Sequence, residues 1–420
     1  MESPTKRKRT PPAPIGAVEL KPYKHQVGGH TTVYRFSRRA VCKQLNSKEN
    51  KFYETVEKYH PQLLAFMPRY IGVLNVTYRK DAKKSKAQNV EGEDTVPSSE
   101  QLSITTPPPP KDDAPAQQQR IVSHSQQAQT SIPQPEPRNP ETSLVRQGER
   151  LEHFLLLEDL TAGMQKPCVL DLKMGTRQYG VEANEKKQAS QRSKCKTTTS
   201  RELGVRVCGM QVYNVQKQSY IFEDKYFGRD LKAGNEFKDA LTRFFFDGIG
   251  HNQALKHIPS LLEKITSLDR IIRQLPSYRL YASSLLLIYD RGDADEQGKS
   301  RPASRASEHS GREEHKQHYH DIKLKIVDFA NCVTAEDMPR ILQTKPCPPA
   351  HPDDVDRGYL RGLRTLRMYF QKIWEELHHQ KYVERGEGEG MATLDRSVSG
   401  AVTQRGWSDS LLEDPGDVST

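Results

Sequence analysis

Apolar residues in this chain gather into short clusters separated by long polar stretches, and their spacing predicts most of the ordered elements. Val33-Tyr-Arg-Phe-Ser37 and Ala40-Val-Cys-Lys43 alternate as strands do, with successive side chains on opposite faces. Ser47 precedes a helical stretch from Lys48 to Tyr59 in which Phe52, Val56 and Tyr59 share one face. Tyr70 to Tyr78 is rich in β-branched residues and reads as a strand. Phe154-Leu-Leu-Leu-Glu158 opens a continuous apolar run to Leu160, the pattern of a buried strand. From Pro259 to Leu275, the residues Leu261, Leu262, Ile265, Leu268, Ile272 and Leu275 repeat at helical spacing, giving an amphipathic core helix. Ile322-Lys-Leu-Lys-Ile326 alternates strictly, and a last helix begins at Tyr359.

Between these clusters the composition changes. From about residue 80 to 148 it is dominated by Lys, Glu, Gln, Ser and Pro, including Pro107 to Pro110. Such a stretch buries too little apolar surface to offset the entropy of ordering it, so a disordered insertion is expected. The same holds for a second insert near 291–316 and for the tail from 384 to 420. With hydrophobic content of 34% and 27 prolines, and a mean hydropathy of −0.81, much of the length lies outside any core. One globular unit with inserts fits better than several domains. No internal repeat of about 20–50 residues is visible.

The net charge of +10 and pI near 9.1 point to polyanionic partners. Nucleic acid is not expected, because no helix-turn-helix, zinc-finger or RNP pattern is present. Six cysteines without a C-x-x-C pair read as free thiols in a reducing compartment. No apolar run approaches the ~18 residues of a membrane span, and no signal-peptide core opens the chain. A soluble intracellular protein is expected, cytoplasmic and also nuclear if Lys6-Arg-Lys-Arg9 serves as an import address. His315, His318 and His320 border the second insert and lack a closed four-ligand set, so they are not read as a metal site.

Candidate chemistry concentrates in Pro167-Cys-Val-Leu-Asp171-Leu-Lys173-Met-Gly175. In an extended strand residues two apart face the same side, so Asp171 and Lys173 would address one site together. Gly175 then lets the chain turn away. A carboxylate beside an ammonium suits phosphoryl transfer, where positioning and charge neutralisation carry most of the catalysis. Taken alone, D-x-K reads better as a surface ion pair at a strand end. Gly28-Gly29, between two strand candidates, is either a backbone cradle for phosphates or a hairpin turn, and it matches neither G-x-x-x-x-G-K-[ST] nor G-x-G-x-x-G.

The pattern P-x-x-x-D-x-K-x-G resembles the signature of the inositol polyphosphate kinases, and three further blocks follow that family's order. Gln26-Val-Gly-Gly-His30 with Val41-Cys-Lys43 lies upstream; Tyr281-Ala-Ser283-Ser284-Leu-Leu and Ile326-Val-Asp328-Phe329 lie downstream. Gly175-Thr-Arg-Gln-Tyr-Gly180 and Gly204-Val-Arg-Val-Cys-Gly-Met-Gln-Val-Tyr213 resemble the inositol hexakisphosphate kinase branch, in its fungal type. The resemblance covers roughly residues 20–80 and 150–375.

It implies an α+β protein with a two-lobed, ATP-grasp or protein-kinase-like inositol polyphosphate kinase fold. The expected division is a basic Pro-rich tail (1–20), a first part of the small lobe (21–80), an insertion (81–148), the end of that lobe with a hinge (149–160), a large lobe (161–383) and a tail (384–420). The resemblance also implies ATP and Mg2+ as cofactors. Gly29 and Lys43 would meet the nucleotide phosphates, with Glu49 or Glu54 pairing with Lys43. The Glu158 carbonyl and the Leu160 amide would bond the adenine edge. Asp171 would sit against the ribose and the acceptor, Lys173 against the transferred phosphate, and Asp328 would hold the metal. Ser284 would support the site or lie beside the metal. Lys186, Lys187, Arg192, Lys194 and Lys196 form the implied acceptor-binding set, matching a ligand of roughly −9 to −12 charge at about −1.5 to −2 per phosphate. The expected reaction is transfer of the ATP γ-phosphate to inositol hexakisphosphate by a monomer, with Asp171, Lys173 and Asp328 catalytic. A multikinase acting on hydroxyls of lower inositol phosphates and a non-catalytic inositol phosphate scaffold are the alternatives.

Overall fold

A computed structural model describes residues 20–29, 31–79, 144–146, 149–292 and 321–382. The expected insertion at 81–148 lies outside these residues except for 144–146. The second insert beyond 292, both tails, the Lys6–Arg9 cluster and His315–His320 also lie outside them.

Along the chain the elements are β1 (Lys21–Pro22), β2 (Val33–Arg35), β3 (Ala40–Gln44), α1 (Ser47–Tyr59), β4 (Tyr70–Arg79), β5 (Leu144–Arg146) and β6 (Glu149–Glu158). They continue with β7 (Pro167–Met174), α2 (Glu185–Thr197), α3 (Thr199–Leu203), β8 (Val205–Asn214), β9 (Ser219–Glu223), α4 (Lys225–Asp230), α5 (Asn235–Phe244) and α6 (Asn252–Leu255). The last are α7 (Ile258–Ile272), β10 (Ser284–Asp290), β11 (Lys323–Val327), α8 (Met338–Thr344) and α9 (Arg357–His378). Every strand pair is antiparallel, so the helices and the antiparallel sheets make an α+β protein.

The chain divides into two compact units. Unit 1 takes residues 31–47 and 69–159 with the segment up to Lys24. Its sheet runs β1-β2-β3-β6-β4, with β5 also on β6. β6 is central here, which is why Phe154 to Leu157 is apolar on consecutive positions. Phe154 and Leu156 enter one cluster with Leu20, Ala40, Cys42 and Val76, while Leu155 and Leu157 are buried on the other face.

Unit 2 comprises residues 25–30, 48–68 and 160 onward. Its sheet runs β11-β10-β7-β8-β9. On β7, Cys168, Leu170, Leu172 and Met174 are fully buried on one face. α5 and α9 pack on β7, with Phe237, Phe244, Leu363, Leu366 and Phe370 sealed from solvent. Each such side chain contributes about 1.5–3 kcal/mol by leaving water. α7 buries all five of Leu261, Leu262, Ile265, Leu268 and Ile272, as the periodicity predicts. Every cysteine is a free thiol. No described helix is long and apolar enough to cross a membrane.

Two expectations are corrected. The small lobe is not contiguous over 21–80, because 25–30 and 48–68 belong to unit 2. The reason is aromatic: the Phe52 ring stacks on Phe329 at 4.6 Å and Tyr53 meets Phe329 edge-on at 5.3 Å. Tyr59, expected on the buried face of α1, is 48% exposed. Tyr53, one turn and a half earlier, takes the interior position, at 2% exposure.

Candidate functional site

The sheet of unit 2 assembles its polar face from register. Lys173 on β7 stands opposite Ser284 on β10 and Arg206 on β8, and Ser284 in turn stands opposite Val327 on β11. One step along, Asp171 stands opposite Leu286 and Gly209. A bulge between Asp171 and Leu172 interrupts the β7–β8 ladder at this point, and bulges re-aim side chains near functional sites. Directly opposed residues point to the same side, so Asp171, Lys173, Ser284 and Arg206 share one face. Asp328 follows β11 and completes the group. Its φ of 68° puts it in the left-handed region, which an aspartate adopts at a cost and which is concentrated at functional positions.

Lys173 Nζ donates to the Ala282 carbonyl at 2.8 Å and lies 3.5 Å from Asp328 Oδ2. An ammonium has three donors, so these contacts leave capacity for a ligand oxygen. Asp171 is only 4% exposed. Burial raises its pKa to about 6; Lys173 pulls it down, Asp328 pushes it up, and the Ser284 hydroxyl and Arg206 favour the anion. Asp171 Oδ1 and Ser284 Oγ are buried near each other, and neither reaches a partner in full hydrogen-bond geometry. Unpartnered buried polar atoms are costly and mark where a ligand group belongs.

α1 supports Asp328 from beneath. Glu49, 3% exposed, accepts a hydrogen bond from the Phe329 amide at 3.3 Å. The Phe329 ring lies between Phe52 and Tyr53. α1 is anchored in turn by Lys51 to Asp337 at 2.6 Å and by Lys48 to Glu182. Glu182 is held at a pKa of about 2 by its hydrogen bonds to Lys345 and Lys48.

The glycine segment comes down on the same face. At Gly28 a β-carbon would lie 1.9 Å from Asp171 Oδ2, so only glycine brings the main chain this close. Gln211 Nε2 bonds His25 Nδ1 at 2.9 Å, and the Gln26 side chain donates to the Gly28 carbonyl at 2.9 Å. Gly29 has φ of +91°.

The other expected residues are placed as follows. Lys43 on β3 pairs in register with Val33 and Leu155, within unit 1. Glu158 ends β6, and its carboxylate accepts from the Arg69 amide at 3.3 Å. Leu160 is buried, and its carbonyl accepts from Lys323 Nζ at 2.6 Å. Glu54 accepts from the Asn50 side chain at 2.8 Å. On α2, Asn184 caps the helix by accepting from the Lys187 amide at 2.9 Å. Lys186, Lys187 and Lys196 are exposed. Arg192 Nε donates to the Tyr179 hydroxyl at 3.0 Å and so ties α2 to the segment after the signature. Lys194 is half-buried and close enough to Arg206 to feel its charge.

Arg206 and the Glu49–Phe329 contact do not emerge from the sequence reading. Arg206 is 6% exposed and donates to Ser200 Oγ at 3.0 Å. Its signal was its alternation with Val205 and Val207, which turns it toward the polar face.

A nucleotide fits these residues through the unpartnered Asp171 Oδ1, which suits a hydroxyl donor. A hard divalent cation fits through Asp328, since such ions take one or two carboxylates and complete their shell with phosphate and water.

Comparison with known proteins adds to this geometry. A sequence profile described as inositol polyphosphate kinase matches residues 154–371. An uncharacterized inositol polyphosphate kinase of Schizosaccharomyces pombe is 46% identical over 277 residues, covering 65% of this chain and 27% of that one. Inositol hexakisphosphate kinase 1 of Saccharomyces cerevisiae is 46% identical over 224 residues, covering 53% and 20% respectively. The chain thus spans about a quarter or less of these two relatives. Human inositol hexakisphosphate kinase 2 is 34% identical over 338 residues, covering 68% of this chain and 76% of that one.

Proposed function

The chain belongs to the inositol polyphosphate kinase family, and from that membership we propose that it transfers the γ-phosphoryl group of ATP to inositol hexakisphosphate. The products are ADP and a diphosphoinositol pentakisphosphate. The observation that carries the proposal is the grouping of Asp171, Lys173 and Asp328 on one sheet face beside the buried cation Arg206. The names of the relatives support the hexakisphosphate as acceptor.

In this reading an oxygen of an acceptor phosphate forms a bond to the γ-phosphorus, and the bond from that phosphorus to the β-phosphate bridging oxygen breaks. ADP leaves with the electron pair. The acceptor oxygen is already anionic, so no strong base is required. Lys173, steadied by the Ala282 carbonyl, faces the transferred group and neutralises its charge. Asp171 Oδ1 accepts a ligand hydroxyl and fixes the nucleotide or acceptor in line. Asp328 would hold the magnesium ion, which when bound neutralises charge on the nucleotide phosphates. Gly28 and Gly29 bring main chain to the same face. Lys187 and Lys194 reach toward the acceptor from α2.

A hydroxyl-directed reaction on lower inositol phosphates is the second reading. It is favoured by the Asp171 pKa of about 6, which suits a group that takes a proton near neutral pH. The two separate in a turnover assay with magnesium-ATP and either inositol hexakisphosphate or a trisphosphate. ADP formation that depends on the hexakisphosphate, and is lost in Lys173→Ala, is the expected result. Turnover with the trisphosphate alone overturns the proposal.

A further inference from the structure

Between α2 and α4 lies an open cleft of about 560 Å³, within the size range of small-molecule sites. Its α2 wall carries Ser190, Ser193 and Lys194, which share one helical face. Its opposite wall carries Arg229 and Lys232, with Asp230 as the acid on the lining. Neither Arg229 nor Lys232 lies in a motif that the sequence singles out.

The position of α4 is fixed by contact with β8. At Gly228 a β-carbon would lie 2.0 Å from the Val207 carbonyl oxygen, so glycine alone permits this seating. Asp224 caps the helix, accepting from the Tyr226 and Phe227 amides at 2.9 and 3.2 Å. Val207 is flanked by Arg206, the residue opposite Lys173, and by Cys208 at the bulge. Lys194 on the α2 wall lies close enough to Arg206 to feel its charge, and Arg206 stands opposite Lys173, so the cleft neighbours the polar face that holds Asp171 and Lys173.

Charge in the cleft is mostly positive, with Lys194, Arg229 and Lys232 on the lining beside Asp230. Among the described residues no carboxylate ion-pairs with Lys194, Arg206, Lys225 or Arg229. Burial lowers the Lys194 pKa, and Arg229, Arg206 and Lys225 lower it further by like-charge repulsion. Cations that outnumber the acids beside them repel one another in the free protein and favour a ligand that brings several negative charges at once. The Ser190 and Ser193 hydroxyls on the lining can donate to phosphate oxygens.

We propose that Arg229 and Lys232, facing Lys194 across the cleft, bind phosphates of the acceptor that are not transferred, making α4 and the turn that follows it the second wall of the acceptor site. This rests on the kinase reading above. α2 and α4 then clamp a highly phosphorylated ring while Lys173 faces the reacting phosphate. Acceptors with fewer phosphates lose contacts on the α4 side.

The test is calorimetric titration of inositol hexakisphosphate, without nucleotide, into the full chain and the double variant Arg229→Gln, Lys232→Gln. Charge-assisted contacts predict about tenfold weaker binding for each cation removed. Affinity for a fluorescent ATP analogue should stay unchanged, and Arg229→Lys should recover part of the loss. Equal hexakisphosphate affinity in the double variant and the wild type, at equal thermal midpoints, overturns the α4 assignment and leaves the kinase reading standing. A wild-type chain that binds no hexakisphosphate overturns both.

Discussion

Asp171 is a carboxylate whose burial costs its anion more than the neighbouring Lys173, Ser284 and Arg206 return. It is 4% exposed, and its Oδ1 reaches no partner in full hydrogen-bond geometry. Its pKa rises from 3.8 to about 6, chiefly by burial. The sign follows from linkage. Well below pH 3.8 the group is protonated in both folded and unfolded chains and costs nothing. As pH rises toward 6 the unfolded chain releases its proton first, so the folded state loses stability. Above pH 6 the loss is complete, and a shift of about two units corresponds to about 3 kcal/mol. Asp171→Asn removes the ionisable group and keeps the shape. At pH 7.5 the variant should be more stable by up to about 3 kcal/mol, less the cost of an imperfectly paired amide. Near pH 4 most of that gain should be gone. Urea denaturation of both proteins at pH 4, 5, 6 and 7.5 reads the difference directly, and phosphotransfer in the variant should fall about a hundredfold or more. A variant no more stable at pH 7.5, or one whose advantage persists undiminished at pH 4, would refute the reasoning.

Other perturbations probe the site from different sides. Lys173→Ala and Asp328→Asn should each lower kcat by about a hundredfold or more, on the scale of losing a charge-stabilising group; asparagine tolerates the left-handed backbone at 328, so an intact circular dichroism spectrum should accompany the loss. Phe52→Ala removes a 2% exposed ring stacked on Phe329 and should cost about 3–5 kcal/mol by thermal or chemical unfolding. Phe52→Leu should recover much of that. Asp356→Ala removes the cap of α9 at the Tyr359 amide together with the bond to the Leu280 amide. A loss of about 2–4 kcal/mol is expected from a cap plus a buried unpaired N–H, measured as a shift in denaturant midpoint without change in ATP affinity.

Two strands of the unit 2 sheet, β7 and β11, were legible because their key residues obey period two. The step from Asp171 to Lys173 puts both on one face whatever the neighbours do, and Ile322 to Ile326 points to a strand ending just before Asp328. α7 was legible because six apolar residues repeat at helical spacing. What the sequence does not disclose depends on contacts between distant segments. Tyr53 and Tyr59 are both aromatic on an amphipathic helix, and only the Phe329 ring decides that Tyr53 goes inside. The approach of Gly28 to Asp171 spans more than a hundred residues and leaves no local trace beyond the two glycines. Arg206 sits in a run of valines, where a buried arginine shows itself only through its register with Lys173. Lys225 and Arg229 read as a solvated helix surface until Gly228 is seen resting on Val207. Local pattern identifies elements and their faces, whereas the partners of charged groups come from tertiary register.

Phosphorus NMR of the product formed from inositol hexakisphosphate and magnesium-ATP tests the central claim most directly. The account predicts new resonances of a phosphoanhydride on the inositol ring, growing in step with ADP and absent with Lys173→Ala. A reaction mixture in which ATP is consumed only with a less phosphorylated acceptor, and whose products carry phosphomonoester signals alone, would contradict it.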